Sequence, residues 1–300
     1  MPSSVPADLV ARLPRAPLTR FAPSPTGYLH LGHVVNAVWV WGLARALAGR
    51  VLLRIEDHDR GRCRPEYEEA LLEDLAWLGL DPDLGPTRQR DASTIYGDTL
   101  AALEQLGLVY VCECSRRDIA SEGGDLPHLE TRYAGRCRDL ALTPGAGRGQ
   151  RLRLAPSVER FTDALLGPQA HAPAEQCGDL LLRDRNGNWT YQFAVVVDDL
   201  RQGVNLVVRG ADLVESTGRQ IALGRLLGRE LPPVFLHHPL LYRADGAKLS
   251  KAAGDTGIRE LRAGGVSPQD VLGRAAFAGG LLMEARPLAP GDLPRLFSGG

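Results

Sequence analysis

Lysine is almost missing from this chain. Of 35 Lys and Arg side chains, only Lys248 and Lys251 are lysine, and they stand three residues apart. Arginine therefore serves wherever positive charge suffices, and segment 246–251 uses a compact ammonium where the rest of the chain uses a planar guanidinium. Net charge is lacking too. The formal value of −1 excludes recruitment of nucleic acid by a global basic field and leaves only local arginine patches. No apolar run is long enough to span a bilayer, so no membrane partner is expected. The first 18 residues include Asp8 and no continuous apolar core. They do not read as a signal peptide, and the cytoplasm is the expected location. With five cysteines, three of them clustered, a disulfide framework gives way to a metal site in a reducing compartment. No internal repeat is present.

What is there suits a globular chain of 300 residues, long enough for one large domain or two modest ones. Residues 1–18 read as a loose or partly helical arm. Runs 19–22 and 51–55 read as buried strands and 34–48 as the helix between them, a right-handed parallel βαβ unit. The second strand ends in Glu56-Asp57-His58-Asp59, at the carboxyl edge where such sheets bind ligands. Residues 65–78 and 91–106 have helical spacing, and 109–111 is a short strand. From 112 to 177 glycine, proline and arginine are frequent and periodicity is weak, which reads as an insertion separating first (19–111) and second (178–256) halves. Strands are expected at 178–183 and 191–198, the latter around Ala194-Val195-Val196-Val197, with Asn186-Gly187 turning between them. A strand at 206–210, a helix at 214–228 and the run 234–242 lead into the lysine segment. Short helices are expected within 257–300, whose proline-rich end wraps the surface. The fold class is α/β: a doubly wound parallel sheet with a metal-bearing insertion and a short helical C-terminus.

Two stretches carry chemistry. In 19–36, TRFAPSPTGYLHLGHVVN, a strand runs into a stiff Pro/Gly turn and a helix N-terminus, an arrangement that holds anions. His30 and His33 can donate to phosphate oxygens, and Gly32 leaves room for a base or ribose against the backbone. In 246–251, GAKLSK, Lys248 and Lys251 suit a migrating phosphate charge. A third cluster, Cys112-x-Cys114 followed by Cys137, suits tetrahedral zinc. Ligand chemistry favours His128 for the fourth position.

HLGH and KLSK resemble the paired HIGH and KMSKS signatures of class I aminoacyl-tRNA synthetases. The flanks RFAPSPTGYLHLGH and LLRIEDHDRGR resemble the glutamyl branch. The resemblance runs from about residue 19 to 257. A full member of that branch continues into a large helical anticodon-binding domain, for which 300 residues leave no room, so the chain resembles a truncated paralogue.

This resemblance implies a Rossmann-type catalytic domain that activates L-glutamate with ATP and Mg2+ and transfers it to queuosine in the anticodon of tRNA(Asp). It implies roles for His30, Gly32, His33 and Lys251 at ATP, with Lys248 assisting. It implies glutamate contacts from the 20–24 segment (Arg20, Phe21, Ala22, Pro23, Ser24) and from Glu56, Tyr191 and Arg209. It favours Tyr133 as the fourth zinc ligand beside Cys112, Cys114 and Cys137, against His128. The residues agree with an acidic amino acid. Two carboxylates need two cationic clusters, which Arg20 and Arg209 can supply, and the ammonium needs an anion such as Glu56. The residues leave open which arginine meets the side-chain carboxylate, and the resemblance suggests Arg20. Asp198, Asp199 and Asp212 are second-tier candidates near ribose and tRNA. A monomer is expected. A conventional glutamyl-tRNA synthetase fragment, another nucleotidyltransferase of the same superfamily and a non-enzymatic RNA-binding domain are the alternatives.

Overall fold

The computed structural model describes residues 6, 8–59, 61–122, 132–240 and 257–297. Lys248, Lys251 and His128 lie outside the described residues.

Strands and helices alternate through the first half: β1 (Leu18–Phe21), α1 (Leu31–Ala46), β2 (Arg50–Ile55), α2 (Pro65–Leu78), β3 (Leu84–Arg88), α3 (Ser93–Gln105) and β4 (Val109–Cys112). The middle holds α4 (Arg116–Glu122), β5 (Gly149–Leu152), β6 (Glu159–Asp163), β7 (Gly167–His171), α5 (Pro173–Gln176) and β8 (Leu180–Arg183). Then follow α6 (Tyr191–Arg201), β9 (Leu206–Gly210), α7 (Thr217–Leu226), β10 (Val234–His238), α8 (Ile258–Ala263) and α9 (Pro268–Ala278).

β2 lies between β1 and β3, parallel to both, with Thr19 opposite Val51 and Phe21 opposite Leu53. β10 lies between β9 and β6, again parallel to both, and β7 runs antiparallel on the edge. The two halves meet where β1 lies beside β9. Asn205 clasps the join: its side-chain oxygen accepts from the Leu18 amide at 2.9 Å, and its own amide donates to the Leu18 carbonyl at 3.1 Å. Strand order thus reverses between β1 and β9, the position at which open α/β sheets bind ligands beyond their carboxyl ends. β4, β5 and β8 form a separate antiparallel sheet.

α1 is buried on most of its circumference, from Val34 through Ala44 except Asn36. It packs between the sheet on one side and α9 with the C-terminal turn on the other. Phe21 stacks edge-on against Trp41 at 5.3 Å, and Trp39 meets Phe297 at 5.2 Å. The tail therefore reaches the core through Leu288, Leu293 and Phe297 instead of only wrapping the surface. At the other end Leu9 and Leu13 enter the same core, so residues 8–13 of the arm are docked.

Three sequence expectations change. The strand expected at 191–198 is helix α6. β-branched Val195, Val196 and Val197 favour a strand locally, but here all three are packed inside a helix, and burial overrides so small a propensity. β3 was not foreseen, because its LGPTR sequence carries Gly and Pro and is largely exposed. The stretch 112–177 is not one insertion, since β6 joins the parallel sheet through β10.

α2 holds a charge with poor company. Asp74 is fully buried and neither carboxylate oxygen has a hydrogen-bond partner. Arg259 of α8 is 3.9 Å away and is shared with Glu73. Burial raises the Asp74 carboxyl to about 6. A raised carboxyl favours the neutral form in the folded state, so the charge penalty is present above that value and fades below it. Asp74→Asn should therefore be more stable than wild type at pH 8, and the gap should close as pH falls through about 6. Paired thermal melts across that range check this.

Candidate active site

The turn after β1 is zipped to the end of β2. Ser24 Oγ donates to the Glu56 carbonyl at 2.7 Å and the Glu56 amide to the Pro23 carbonyl at 3.0 Å. His30 then caps α1. Its Nδ1 accepts from the Gly32 amide at 3.1 Å, while His33 Nδ1 accepts from the His30 amide at 3.1 Å. Both neutral rings therefore carry their proton on Nε2, which makes that atom the ring's donor. The ring centres are 3.9 Å apart. A Cβ on Gly32 would stand 2.9 Å from the His30 ring. A side chain there would displace the capping ring, a nearer reason for glycine than the space for a base or ribose expected from sequence.

A cleft of about 630 Å³ opens at the β1–β9 reversal. Arg20, Ala22, Ser24, Glu56, Tyr191 and Arg209 line it together with His30, Gly32 and His33. Phe21 and Pro23 do not line it; the Phe21 ring belongs to the core. Leu240 lines the cleft, and the chain is next described at Gly257, which bridges to His30. The described residues on either side of 241–256, the segment carrying both lysines, thus adjoin the histidine turn.

Below the cleft lies a buried ionic cluster. Arg54 on β2 is wholly buried and donates to Asp199 at 2.6 Å, Glu56 at 3.2 Å and Gln202 at 3.0 Å. Asp199 also accepts from Arg20 Nε at 3.2 Å. Asp198 accepts from Gln89, Tyr96 and Arg201. The helical form of α6 makes this possible. In a strand Asp198 and Asp199 would point to opposite faces, whereas on a helix both reach the cluster. Burial would raise Asp199, but Arg20 and Arg54 outweigh it and hold the carboxyl below its ordinary range. Burial raises Glu56 despite the arginines beside it. Arg20 pairs with Asp199, and Arg54 with Glu56.

Arg209 differs from Arg20. It is buried, and its nitrogens donate to His237 Nε2 at 2.9 Å, Gln220 Oε1 at 2.6 Å and Thr217 Oγ1 at 2.8 Å, all neutral acceptors. No carboxylate among the described residues pairs with it. Burial lowers the guanidinium below its ordinary value. Chemically, such a cation can pair with an anionic ligand. Tyr191 beside it is raised by burial and by Glu56. The Asp57-His58-Asp59 triplet is spent elsewhere, on Arg90, Gln89 and Arg62 respectively. Sequence reading missed Arg54, His237, Gln220 and Thr217. Only Arg54 left a signal, a charge inside the apolar strand VLLRI.

The thiols of Cys112, Cys114 and Cys137 converge within 4.8 Å of one another and could hold a metal ion. The Tyr133 hydroxyl lies 3.5 Å from Cys112 Sγ and accepts from the Cys137 amide at 2.8 Å. Tyr133 is held by the Arg151 guanidinium 3.8 Å above its ring and by a backbone bridge to Gly178. A Cβ on Gly178 would fall 1.9 Å from the Tyr133 carbonyl oxygen, so only glycine fits there. The Tyr133 hydroxyl thus stands beside the three thiols.

Residues 18–279 match the family described as tRNA synthetases class I (E and Q), catalytic domain. A glutamyl-Q tRNA(Asp) synthetase of Nitratidesulfovibrio vulgaris is 43% identical over 93% of this chain and 91% of its own length. The chain belongs to this family. It is an aminoacyl-tRNA synthetase-type ligase of glutamyl-tRNA synthetase character. A glutamate–tRNA ligase of Oleidesulfovibrio alaskensis is 41% identical over 84% of the chain, which spans 54% of that relative. A solved glutamate tRNA ligase from Elizabethkingia meningosepticum, in complex with its amino acid, shares the fold with a TM-score of 0.77 at 24% identity. The chain spans 64% of that structure's length.

Removing one partner from this synthetase's ionic cluster strands a buried charge. Asp199→Ala should destabilise the fold by about 3–5 kcal/mol, measured by urea unfolding. The loss should far exceed that of Asp292→Ala, whose ion pair with Arg295 is at the surface.

Proposed function

We propose that this synthetase activates L-glutamate with ATP and transfers it to queuosine in the anticodon of tRNA(Asp). What carries the reading is the 43% identity, over nearly the full length of both chains, with a relative named for that transfer. The cleft supports it. Among the described residues the Arg209 guanidinium has no carboxylate partner, which suits it to one carboxylate of glutamate. Glu56 supplies the anion for the ammonium, and Ser24 and Tyr191 supply hydroxyls. Arg20, occupied by Asp199, has less to offer a second carboxylate than Arg209.

In the first step a glutamate carboxylate oxygen attacks the α-phosphorus of ATP in line, and pyrophosphate leaves. Positioning and charge stabilisation dominate such a transfer. His30 and His33 donate from Nε2 to phosphate oxygens, and Gly32 lets the first of these rings sit over the helix start. Lys251, assisted by Lys248, neutralises charge developing on the α-phosphate and pyrophosphate. Mg2+ accompanies the triphosphate. In the second step a queuosine cyclopentenediol hydroxyl attacks the activated carbonyl and AMP leaves.

Glutamate-dependent ATP–pyrophosphate exchange in the absence of tRNA tests the first step. Aspartate should support it poorly, because one methylene less leaves a buried arginine unsatisfied. Queuosine-containing tRNA(Asp) should accept glutamate, and periodate treatment should abolish acceptance. Efficient 3′-end charging of tRNA(Glu) would instead favour a conventional glutamyl-tRNA synthetase activity, the second reading that the 41% identical ligase supports.

The donor set of Cys112, Cys114, Tyr133 and Cys137 is assigned to a structural zinc. Purified protein should contain about one zinc per chain, lost in Cys112→Ser and Cys137→Ser variants. The antiparallel β4–β5–β8 sheet should then loosen while the parallel sheet survives, which hydrogen exchange resolves. A metal-free wild type would remove the assignment.

A further inference from the structure

Behind Arg209 lies a second layer of side chains. His237 and Asp163 are both completely buried and come from adjacent strands, β10 and β6. His237 Nε2 is 2.9 Å from Arg209 Nε, and His237 Nδ1 is 2.6 Å from Asp163 Oδ2. Arginine nitrogens only donate. Nε2 must therefore accept, so the neutral ring carries its proton on Nδ1 and donates it to Asp163. Asp163 is itself fixed: its other oxygen accepts from the amides of Leu165 at 3.0 Å and Leu166 at 2.9 Å. A protonated His237 would set N–H against N–H beside a cation. Burial lowers the His237 pKa, and Arg209 adds to that lowering while Asp163 opposes it. Thr217 Oγ1 is 3.3 Å from His237 Nε2 and also accepts from Arg209.

We propose that His237 and Asp163 are positioning residues for the glutamate site: Asp163 sets the His237 tautomer, and His237 sets the orientation of the Arg209 guanidinium before substrate arrives. The inference rests on the reading of Arg209 as a carboxylate receptor. A carboxylate–imidazole pair that orients a third group is a general device for fixing a tautomer. Here the oriented group is a cation. A guanidinium bonds a carboxylate well only when its plane is aligned, so orientation governs affinity for glutamate and not for ATP.

The variants separate tautomer control from bulk. His237→Leu removes the acceptor. His237→Gln restores one of comparable reach. Asp163→Asn keeps the shape, but the amide that would face Nδ1 donates, which drives the proton to Nε2 and against Arg209. In pyrophosphate exchange, His237→Leu and Asp163→Asn should raise the glutamate KM roughly 10- to 100-fold, the size of one hydrogen bond to a charged group. The ATP KM should stay near wild type, and His237→Gln should recover most of the loss. Equal rises in both KM values, or a glutamate KM unchanged in His237→Leu, would overturn the proposal. The tautomer has its own readout: 15N NMR of His237 in the wild type without ligand should report a neutral ring protonated at Nδ1. A proton on Nε2 would overturn the relay even if glutamate is activated. Failure of glutamate-dependent exchange in wild type with the expected tautomer would instead sink the assigned substrate. In that case each variant's affinity for glutamate, by calorimetry, decides the relay: binding weakened as above upholds it, and binding unchanged overturns it.

Discussion

A fully buried guanidinium on β2 governs how this molecule is assembled. Arg54 has no access to water and must be compensated from within. Its partners come from three directions: Glu56 from the end of its own strand, Asp198 and Asp199 from α6, and Arg20 through their shared carboxylate. Because that network requires two adjacent acids from α6, it fixes the rotation of the helix over the sheet. It also places Tyr191, at the first turn of the same helix, beside Glu56 and Arg209 in the cleft. Ion pairs of this kind add little net stability over an apolar core, but breaking one is expensive.

The cleft inherits an electrical asymmetry from the cluster. On the β1 side Arg20 has a carboxylate partner. On the β9 side Arg209 has only neutral acceptors among the described residues. Both are buried, both line the same cavity, and they differ in what an incoming anion gains from each. A ligand carboxylate that meets Arg209 compensates a charge the fold leaves open. One that meets Arg20 competes with Asp199. Sheet topology creates this arrangement, since the two arginines stand on either side of the reversal in strand order.

The histidine turn shows how few residues are needed to fix a helix start. Two Nδ1 atoms satisfy backbone amides at the head of α1, and that alone fixes both tautomers. The bridge between His30 and Gly257, with the Ile258 amide bonded to the Leu29 carbonyl at 3.0 Å, ties the described chain beyond the lysine segment to this turn. The cysteine cluster stands apart, on the antiparallel sheet.

Much was legible in the sequence because it is local. The βαβ start, α2 at 65–78, the histidine turn and the cysteine spacing are short-range patterns whose physics is contained in their own residues. The candidates Arg20, Ser24, Glu56, Tyr191 and Arg209 do meet in one cleft, and the three thiols do converge. Tertiary structure decided the rest. Whether AVVV became strand or helix depended on what surrounded it, since β-branched residues tolerate either once buried. Arg20 and Arg209 are indistinguishable as letters, and only partners distant in sequence make one paired and the other open. Asp163 and His237 are 74 residues apart, and no spacing rule joins them. Their meeting follows from the parallel pairing of β6 with β10, a long-range choice that no local pattern encodes.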